Sequence, residues 1–496
     1  MDRAHAENIY NSGKEAVISK LLELSSEIEE VEQTILALED RIQKLENIIV
    51  KDSHNSSKPP SSDGFKKKKR TKSQRKKSNR NPGGQKGHKG YTLEMVDNPD
   101  HIEKCKIEKE NCHCGRSLKD KEVVGYEKRQ VFDIPEPRIE VTEYQAEIKD
   151  CDCGARHVAS FPDDVKAPVQ YGGRIKSQVI YFMNYQFIPY ERMCEIIYDI
   201  YGRNISLGTI FNYYYSCYNL LEEPEEKIKN HIIQSKVAGF DESGSSVNGK
   251  NFWLHSSSTE EYTYYACHKK RGKEAMDAIG ILPNFDGRAV HDHWKSYFTF
   301  PCDHALCNSH HLREFDYIDE QYDQSWAGTM KKLLLEIKDT VDTAKLQFNC
   351  KSLEDSVLEG FEKRYQALLL EGYEANPPPK VENVNRRSAV VEKKRGRVKK
   401  SEPLNFLGRL KDYSKETLAF MYDFDVPFDN NLSERDIRMM KLRLKISGTF
   451  RNKLGTDMFC RIRGYISTAK KQGINVLDAI EDLWGRKYFS ECLLPE

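Results

Sequence analysis

Nine apolar residues near the amino terminus, Leu21, Leu24, Ile28, Val31, Ile35, Leu38, Ile42, Leu45 and Ile49, recur in alternating steps of three and four without a miss. A strict 3.5-residue period suits a long helix whose apolar seam meets a helical partner. Ile at most a positions (Ile28, Ile35, Ile42, Ile49, after Leu21) and Leu at most d positions favour a parallel two-stranded coil. Arg41 at g can reach Glu46 of the partner, whereas Glu27 would face Glu32 and oppose pairing. Residues 1–50 are therefore expected to form a coiled coil, with self-association into a homodimer or higher oligomer through 17–50.

The charge that follows is equally uneven. The whole chain of 496 residues balances to +1. Residues 1–50 nevertheless carry 11 acidic and 5 basic side chains, whereas residues 55–90 carry 13 Lys and Arg against the single acid Asp63. Such a block is too charged and too poor in apolar residues to fold alone. It reads as a disordered basic arm over 51–95. Lys66, Lys67, Lys68, Lys69, Arg70, Arg75, Lys76 and Lys77 would neutralise phosphates of a nucleic acid by counterion release. No apolar run reaches the roughly 18 residues of a membrane span. The opening MDRAHAENIYNSGKEAV lacks a signal peptide's apolar stretch, which places the protein in the cytoplasm. Thirteen cysteines, an odd number, argue against a disulfide scaffold and for reduced thiols or metal ligands.

Four of those thiols come in two pairs, Cys112-His113-Cys114-Gly115 and Cys151-Asp152-Cys153-Gly154. The intervening VVGYEKRQVFDIPEPRIEVTEYQAEIK alternates Val, Phe, Ile and Tyr and predicts strands. Two paired-Cys elements bracketing a hairpin would close a tetrahedral zinc site of Cys112, Cys114, Cys151 and Cys153. Cys105, His113 and His157 are possible substitutes. The spacing is C-x-C rather than C-x₂-C, and four unligated thiols in a small β-subdomain over 96–165 is the competing reading.

Residues 171–222 read as helical, within a domain taken as 166–230. Gly202 ends a first stretch, and Ser206 is a candidate N-cap for a second helix from Leu207 to about Glu222. The outline is a helix-turn-helix that would turn Arg203, Asn204, Ser206, Thr209, Asn212 and Tyr213 toward DNA. Most helical hairpins bind no DNA, so the nearby arm carries much of this reading.

From residue 236 the pattern changes to strands: one ending at Asp241, then NFWLHSS and YTYYACH, with Asn248-Gly249 as a hairpin turn. Gly244, Gly249 and Lys250 fit G-x-x-x-x-G-K, but Asn251 and a strand follow where a phosphate-binding loop needs Ser or Thr and a helix. Nucleotide binding is rejected. KEAMDAIGILPNF is predicted to be a helix and precedes the strand GRAVH, which ends at Asp292. Two strand-end carboxylates in one sheet cost solvation unless a cation or hydrogen bonds compensate. A long helical region then runs to about Gly372. The second basic tract contains Arg395-Gly396-Arg397, the kind of short element that can lie in a minor groove.

The segments NSSKPPSSD, NPGGQKGHKG, HDHWKSY, CNSHHLREF, RYQALLLEG, FMYDFDVPFDNNLSERDIRMMK and SGTFRNKLGTDMFCRIRGYIST resemble, in order over about 50–480, transposases of the bacterial insertion sequence family sixty-six, of the DDE class. The resemblance implies a multidomain α+β protein. Its parts are the coiled coil, a zinc-ribbon-like β-subdomain, a helix-turn-helix domain and an RNase H-like α/β catalytic core. The core would occupy 236–450 with a helical insertion at about 322–403, followed by a helical segment 451–496. The resemblance assigns catalysis to Asp241, Asp292 and Glu434. These three carboxylates would hold two Mg²⁺ (or Mn²⁺) ions about 3.5–4 Å apart for phosphoryl transfer. Cys307 and His310 match a Cys-x-x-His element expected to support the site. Arg435 and Arg438 would contact phosphate or pair with neighbouring acids. Double-stranded DNA (transposon ends and target) is the implied partner, with accessory proteins of the same element possible, and the implied location is bacterial cytoplasm near the nucleoid. Two other classes stay open at this point: a DNA-binding regulator with an inert core, and a metal-dependent nuclease without strand transfer.

Overall fold

The computed structural model describes residues 8–50, 93–119, 121–348, 350–378 and 400–485. Lys66–Lys69, Arg70, Arg75, Lys76, Lys77, Arg395 and Arg397 lie outside the described residues. The heptad residues fall on one helix, α1 (Lys14–Val50). Leu21, Ile28, Val31, Ile35, Leu38 and Ile42 are exposed along it.

Two compact units separate. The smaller comprises Lys68–Phe161 with Glu195–Asn204, and the larger comprises Met1–Lys67, Pro162–Cys194 and Ile205–Glu496. In the smaller unit, β1 (Ile148–Asp150) pairs antiparallel with β2 (Arg156–Val158) around the second cysteine pair. Both cysteine pairs close the same turn. Cys112 N–H donates to Arg116 O and Gly115 N–H to Cys112 O, each at 2.8 Å; Cys151 N–H donates to Ala155 O and Gly154 N–H to Cys151 O at the same distance. Gly115 (φ 87°) and Gly154 (φ 86°) sit in the left-handed region that glycine adopts without a Cβ clash. The strands expected between the pairs are, however, confined to 148–150. Pro135 and Pro137 cannot donate to a ladder. Val124, Val131, Ile134 and Val141 are exposed, so the alternation has no face to bury.

The expected helical run up to Gly202 is interrupted. Helix α2 (Gly173–Ile180) passes into a π-turn at Tyr181–Tyr185, and α3 (Tyr190–Tyr201) begins after it. Pro189 forces the break, because it disfavours helix in the residue before it and lacks an N–H. Helix α4 (Leu207–Leu220) starts where the cap signal places it, with Ser206 Oγ accepting Thr209 N–H at 3.0 Å. Helix α5 (Glu222–Ile233) leads into the sheet.

The sheet contains β3 (Val237–Val247), β4 (Lys250–Ser258), β5 (Thr263–His268), β6 (Arg288–His291) and β7 (Asp303–Leu306) in the order β5-β4-β3-β6-β7. β3–β4 and β4–β5 are antiparallel; β3–β6 and β6–β7 are parallel. Asn248 (φ 50°) and Gly249 (φ 70°) make the expected tight hairpin. β3 does not stop at Asp241 but continues through it to Val247, paired with β4. The parallel step to β6 needs a crossover, supplied by α6 (Lys273–Ile279).

After β7 come α7 (Asn308–Tyr322), α8 (Ser325–Phe348), α9 (Asp355–Ala375) and α10 (Glu402–Asp412). They share a core built on Phe315, Trp326, Met330, Leu334, Tyr365 and Phe406. Helix α11 (Asn431–Ser447) lies across β3 and β4, and α12 (Lys453–Lys471) lies on β5. Gly464 permits that approach, since a Cβ there would come 3.1 Å from Thr263 O. Arg461 ties α12 to the helices before the sheet, donating to Glu225 at 2.6 Å and to Tyr218 O at 3.0 Å. No helix among the described residues is long and apolar enough to cross a membrane.

Candidate active site

Successive side chains of a strand point to opposite faces, and the middle of β3 uses both. Phe240 and Glu242 share one face, where both meet Tyr297. Gly239 and Asp241 share the other, which faces α11. A Cβ on Gly239 would overlap Ser433 Oγ and Asn430 Oδ1, so the start of α11 rests directly on the strand backbone. Buried Asn430 fixes this seat. Its side-chain amide donates to Phe240 O at 2.8 Å, and its N–H donates to Cys307 Sγ, just after β7, at 3.2 Å. Gly239→Ala is expected to cost about 1–3 kcal/mol by overpacking, and to lower activity further by shifting α11. Unchanged thermal melting and activity would contradict this seat.

With α11 so placed, Glu434 stands in its first turn. Asp292 follows β6 directly, its Oδ1 accepting Trp294 N–H at 2.9 Å. Asp241, Asp292 and Glu434 thus come from a strand, a strand end and a helix start, near enough for their charges to act on one another, although among the described residues their oxygens do not form one cluster of close donors. Burial drives the Asp241 carboxyl well above the usual range, and the negative charges of Glu242, Glu434 and Asp292 push it further. Burial also raises Asp292, with Glu434 adding to the rise. Among the described residues neither aspartate is ion-paired. Two aspartates whose ionisation is held back by burial and by neighbouring negative charge, beside a third carboxylate, offer the all-oxygen donors that suit a hard divalent cation.

Glu434 is partly neutralised. Arg438 donates to its Oε2 at 2.8 Å, while Oε1 lies 4.0 Å from both His310 Nε2 and an Arg313 guanidinium nitrogen. The Cys307 and His310 donor atoms and a Glu434 oxygen all lie within 4.8 Å of one another. Burial pushes the Cys307 thiol up to about 12 and the His310 imidazole down to about 3, so the ring is neutral near pH 7.

Glu242 is the site residue that sequence reasoning missed. Its side chain is 2% exposed and is held by Arg271 (Nε to Oε1, 2.8 Å) and by the Tyr297 hydroxyl. Burial and then Asp292 raise it to about 7. Arg271 is itself clamped between Trp253 and Trp294, 5.0 and 4.3 Å from the ring centroids. The only sequence signal was the second acid of Asp241-Glu242; nothing in the spacing announced Arg271.

Arg435, Arg438, Arg203 and Asn212 are exposed, and Thr209 is engaged in the cap of α4. Cys112, Cys114, Cys151 and Cys153 occupy their two turns without forming one cluster of close donors. Backbone hydrogen bonds first, then the paired cysteine, hold the thiols of Cys114 and Cys151 below their ordinary value.

A family model described as "Transposase IS66 family" matches residues 168–458, more than half of the chain. The chain belongs to the Transposase IS66 family. The match spans the entire five-stranded sheet, α11 and the positions of Asp241, Asp292 and Glu434. Membership makes this protein a transposase, an enzyme class that cleaves and transfers DNA. A second model, a family of unknown function (DUF6444), matches residues 6–94 of this IS66-family chain, covering α1 and the basic tract. No curated protein matches the chain.

Proposed function

We propose that this transposase cuts the ends of its insertion sequence and joins them to target DNA with Asp241, Asp292 and Glu434 as the catalytic acids of an RNase H-like core. One observation carries the reading: Asp241, raised first by burial and then by its neighbour Glu242, also feels the negative charges of Glu434 and Asp292, residues 193 and 51 positions away in sequence. The sheet supports it, with three antiparallel strands followed by two parallel ones and the third acid delivered by the helix lying across the first strand.

The three carboxylates would hold Mg²⁺ or Mn²⁺. Such ions, when bound, supply Lewis acidity that lowers the pKa of an attacking water or 3′-hydroxyl and stabilises the departing oxygen. The chain's own residues do the rest. Asn430 and Gly239 position Glu434 against Asp241. The Trp294 N–H orients Asp292. Arg438, exposed and paired with Glu434, exchanges that carboxylate for a DNA phosphate, and exposed Arg435 lies beside it. The arm residues Lys66–Lys69, Arg70, Arg75, Lys76 and Lys77, the pair Arg395 and Arg397, and Arg203 and Asn212 around the helix-turn-helix provide sequence-distant grip on the duplex. The two cysteine turns would share a zinc ion across Cys112, Cys114, Cys151 and Cys153, supported by backbone donors that favour thiolates. The protein would act in the bacterial cytoplasm at the nucleoid.

The exposed aliphatic seam of α1 supports self-association. A chain with Ile28→Glu and Ile35→Glu is expected to run as a monomer by light scattering where wild type is a dimer or larger. An unchanged mass would remove the coil from the assembly.

The deciding assay is Mg²⁺-dependent cleavage and joining on the element's own ends, wild type against Glu434→Gln. Cleavage and joining by wild type, both lost in the variant, is the expected result. Cleavage without joining would indicate a nuclease, and an Asp241→Ala chain with an unchanged phenotype would indicate a regulator.

A further inference from the structure

The element Cys307-x-x-His310 meets Glu434 on the side of the carboxylate that Arg438 does not occupy. Arg438 holds Oε2, and Oε1 faces His310 Nε2 at 4.0 Å. His310 Nδ1 is buried with no hydrogen-bond partner, and Nε2 stands beyond hydrogen-bonding reach of Glu434. A thiol, an imidazole and a carboxylate oxygen lie within 4.8 Å of one another around this point. A tetrahedral ion with bonds of about 2.0–2.3 Å needs donors about 3.3–3.8 Å apart, so a contraction of roughly 1 Å completes the set. The side chains of His310 and Glu434 are 19% and 17% exposed, which leaves an approach from solvent. Arg313, also 4.0 Å from Oε1, is the cation that such an ion would displace.

We propose that Cys307, His310 and Glu434 form a second metal site, selective for thiophilic cations such as Zn²⁺ or Cd²⁺, whose occupation withdraws Glu434 from the hard-cation site of Asp241 and Asp292. The donor types decide the selectivity. Mg²⁺ and Mn²⁺ prefer carboxylate and water, whereas a thiolate with an imidazole selects zinc-like ions. Binding releases the Cys307 proton to solvent and leaves the fourth position to water. Zinc is therefore an inhibitor of this transposase rather than its catalytic ion. The inhibitory half of this inference rests on Glu434 being the third catalytic acid; the binding half does not.

The test is a Cd²⁺ titration of the full-length, metal-stripped protein, reading the ultraviolet thiolate-to-cadmium absorption. Wild type is compared with Cys307→Ser and His310→Gln, the other cysteines being common to all three. Cys307→Ser is expected to lose one equivalent of the absorption, and His310→Gln to weaken that equivalent at least tenfold. In the cleavage assay with Mg²⁺ in excess, micromolar Zn²⁺ is expected to slow wild type at least tenfold and Cys307→Ser far less. Identical titrations of wild type and both variants overturn the site. Should Cys307→Ser fail to fold by circular dichroism, an unaltered titration of His310→Gln overturns it alone. Cadmium bound through Cys307 without inhibition by zinc overturns the sharing of Glu434. Wild type that never cleaves with Mg²⁺ refutes the catalytic reading and leaves the titration to decide the site.

Discussion

Asp292→Asn is expected to reduce cleavage and joining of transposon ends by at least about a thousandfold in a chain that still folds. The substitution keeps the size of the side chain and the oxygen that accepts the Trp294 N–H. What it removes is the charge that would anchor a divalent cation. Losing several kcal/mol of Lewis-acid stabilisation, at about 1.4 kcal/mol per factor of ten, gives a loss of that order. Asp241→Asn should be as inactive for the same reason, and it carries a second signature. Asp241 has its folded-state pKa raised by burial and by three neighbouring acids. Its ionised form therefore opposes folding, and metal-free stability falls as pH rises from the unfolded carboxyl value toward the raised one. Neutralising it should make the metal-free protein more stable near pH 7, by about 0.5–2 kcal/mol in the range typical of relieved functional strain. An inactive but less stable Asp241→Asn chain would mean that the carboxylate is structural.

The second large effect concerns Glu242. Arg271→Ala leaves a carboxylate that is 2% exposed with only the Tyr297 hydroxyl as partner. Removing one member of a buried pair costs about 3–5 kcal/mol, and the low end applies because Arg271 itself is 39% exposed. The loss depends on pH in a definite direction. Glu242 is already raised to about 7 with Arg271 in place, and without the guanidinium it rises further. Arg271→Ala is therefore expected to unfold more readily as pH increases from 6 to 8, whereas the Arg271→Ala, Glu242→Gln double variant should recover much of the stability and lose that slope. Chemical denaturation at the two pH values reads both. Equal stability of wild type and Arg271→Ala at pH 8 would contradict the account.

These two sites differ in how far the sequence announces them. Asp241 and Asp292 stand out in the sequence because each sits at an apolar strand where a carboxylate is costly, whereas Glu434 is singled out only by the family resemblance, in the helix that follows the Asp429-Asn430-Asn431 turn. The structure supplies the reason for that turn, with Asn430 clasping both β3 and Cys307. Glu242 was hidden because alternation along a strand sends it to the face opposite Asp241, and its partners Arg271 and Tyr297 lie 29 and 55 positions away. The end of β3 was misplaced for a related reason. Gly244 and three serines (243, 245 and 246) carry no hydrophobic pattern, so only the pairing with β4 reveals a strand there. Between the cysteine pairs the error ran the other way: alternation was present, but prolines and the lack of a covering layer left it without a sheet. The heptad seam of α1 is read directly from spacing, since a 3.5-residue period is a local property that needs no tertiary partner within the chain.

Asp241, Asp292 and Glu434 are proposed to gather around the same divalent cations. Iron(II) can stand in for Mg²⁺ or Mn²⁺, and with peroxide and ascorbate it cuts the polypeptide within reach of the bound ion. Mapping the fragments of the full-length protein tests the claim without requiring turnover. Cuts clustered next to residues 241, 292 and 434, suppressed by excess Mg²⁺ and absent from Asp292→Asn, are the predicted result. Cuts that avoid one of those three positions, or that persist unchanged in Asp292→Asn, would contradict it.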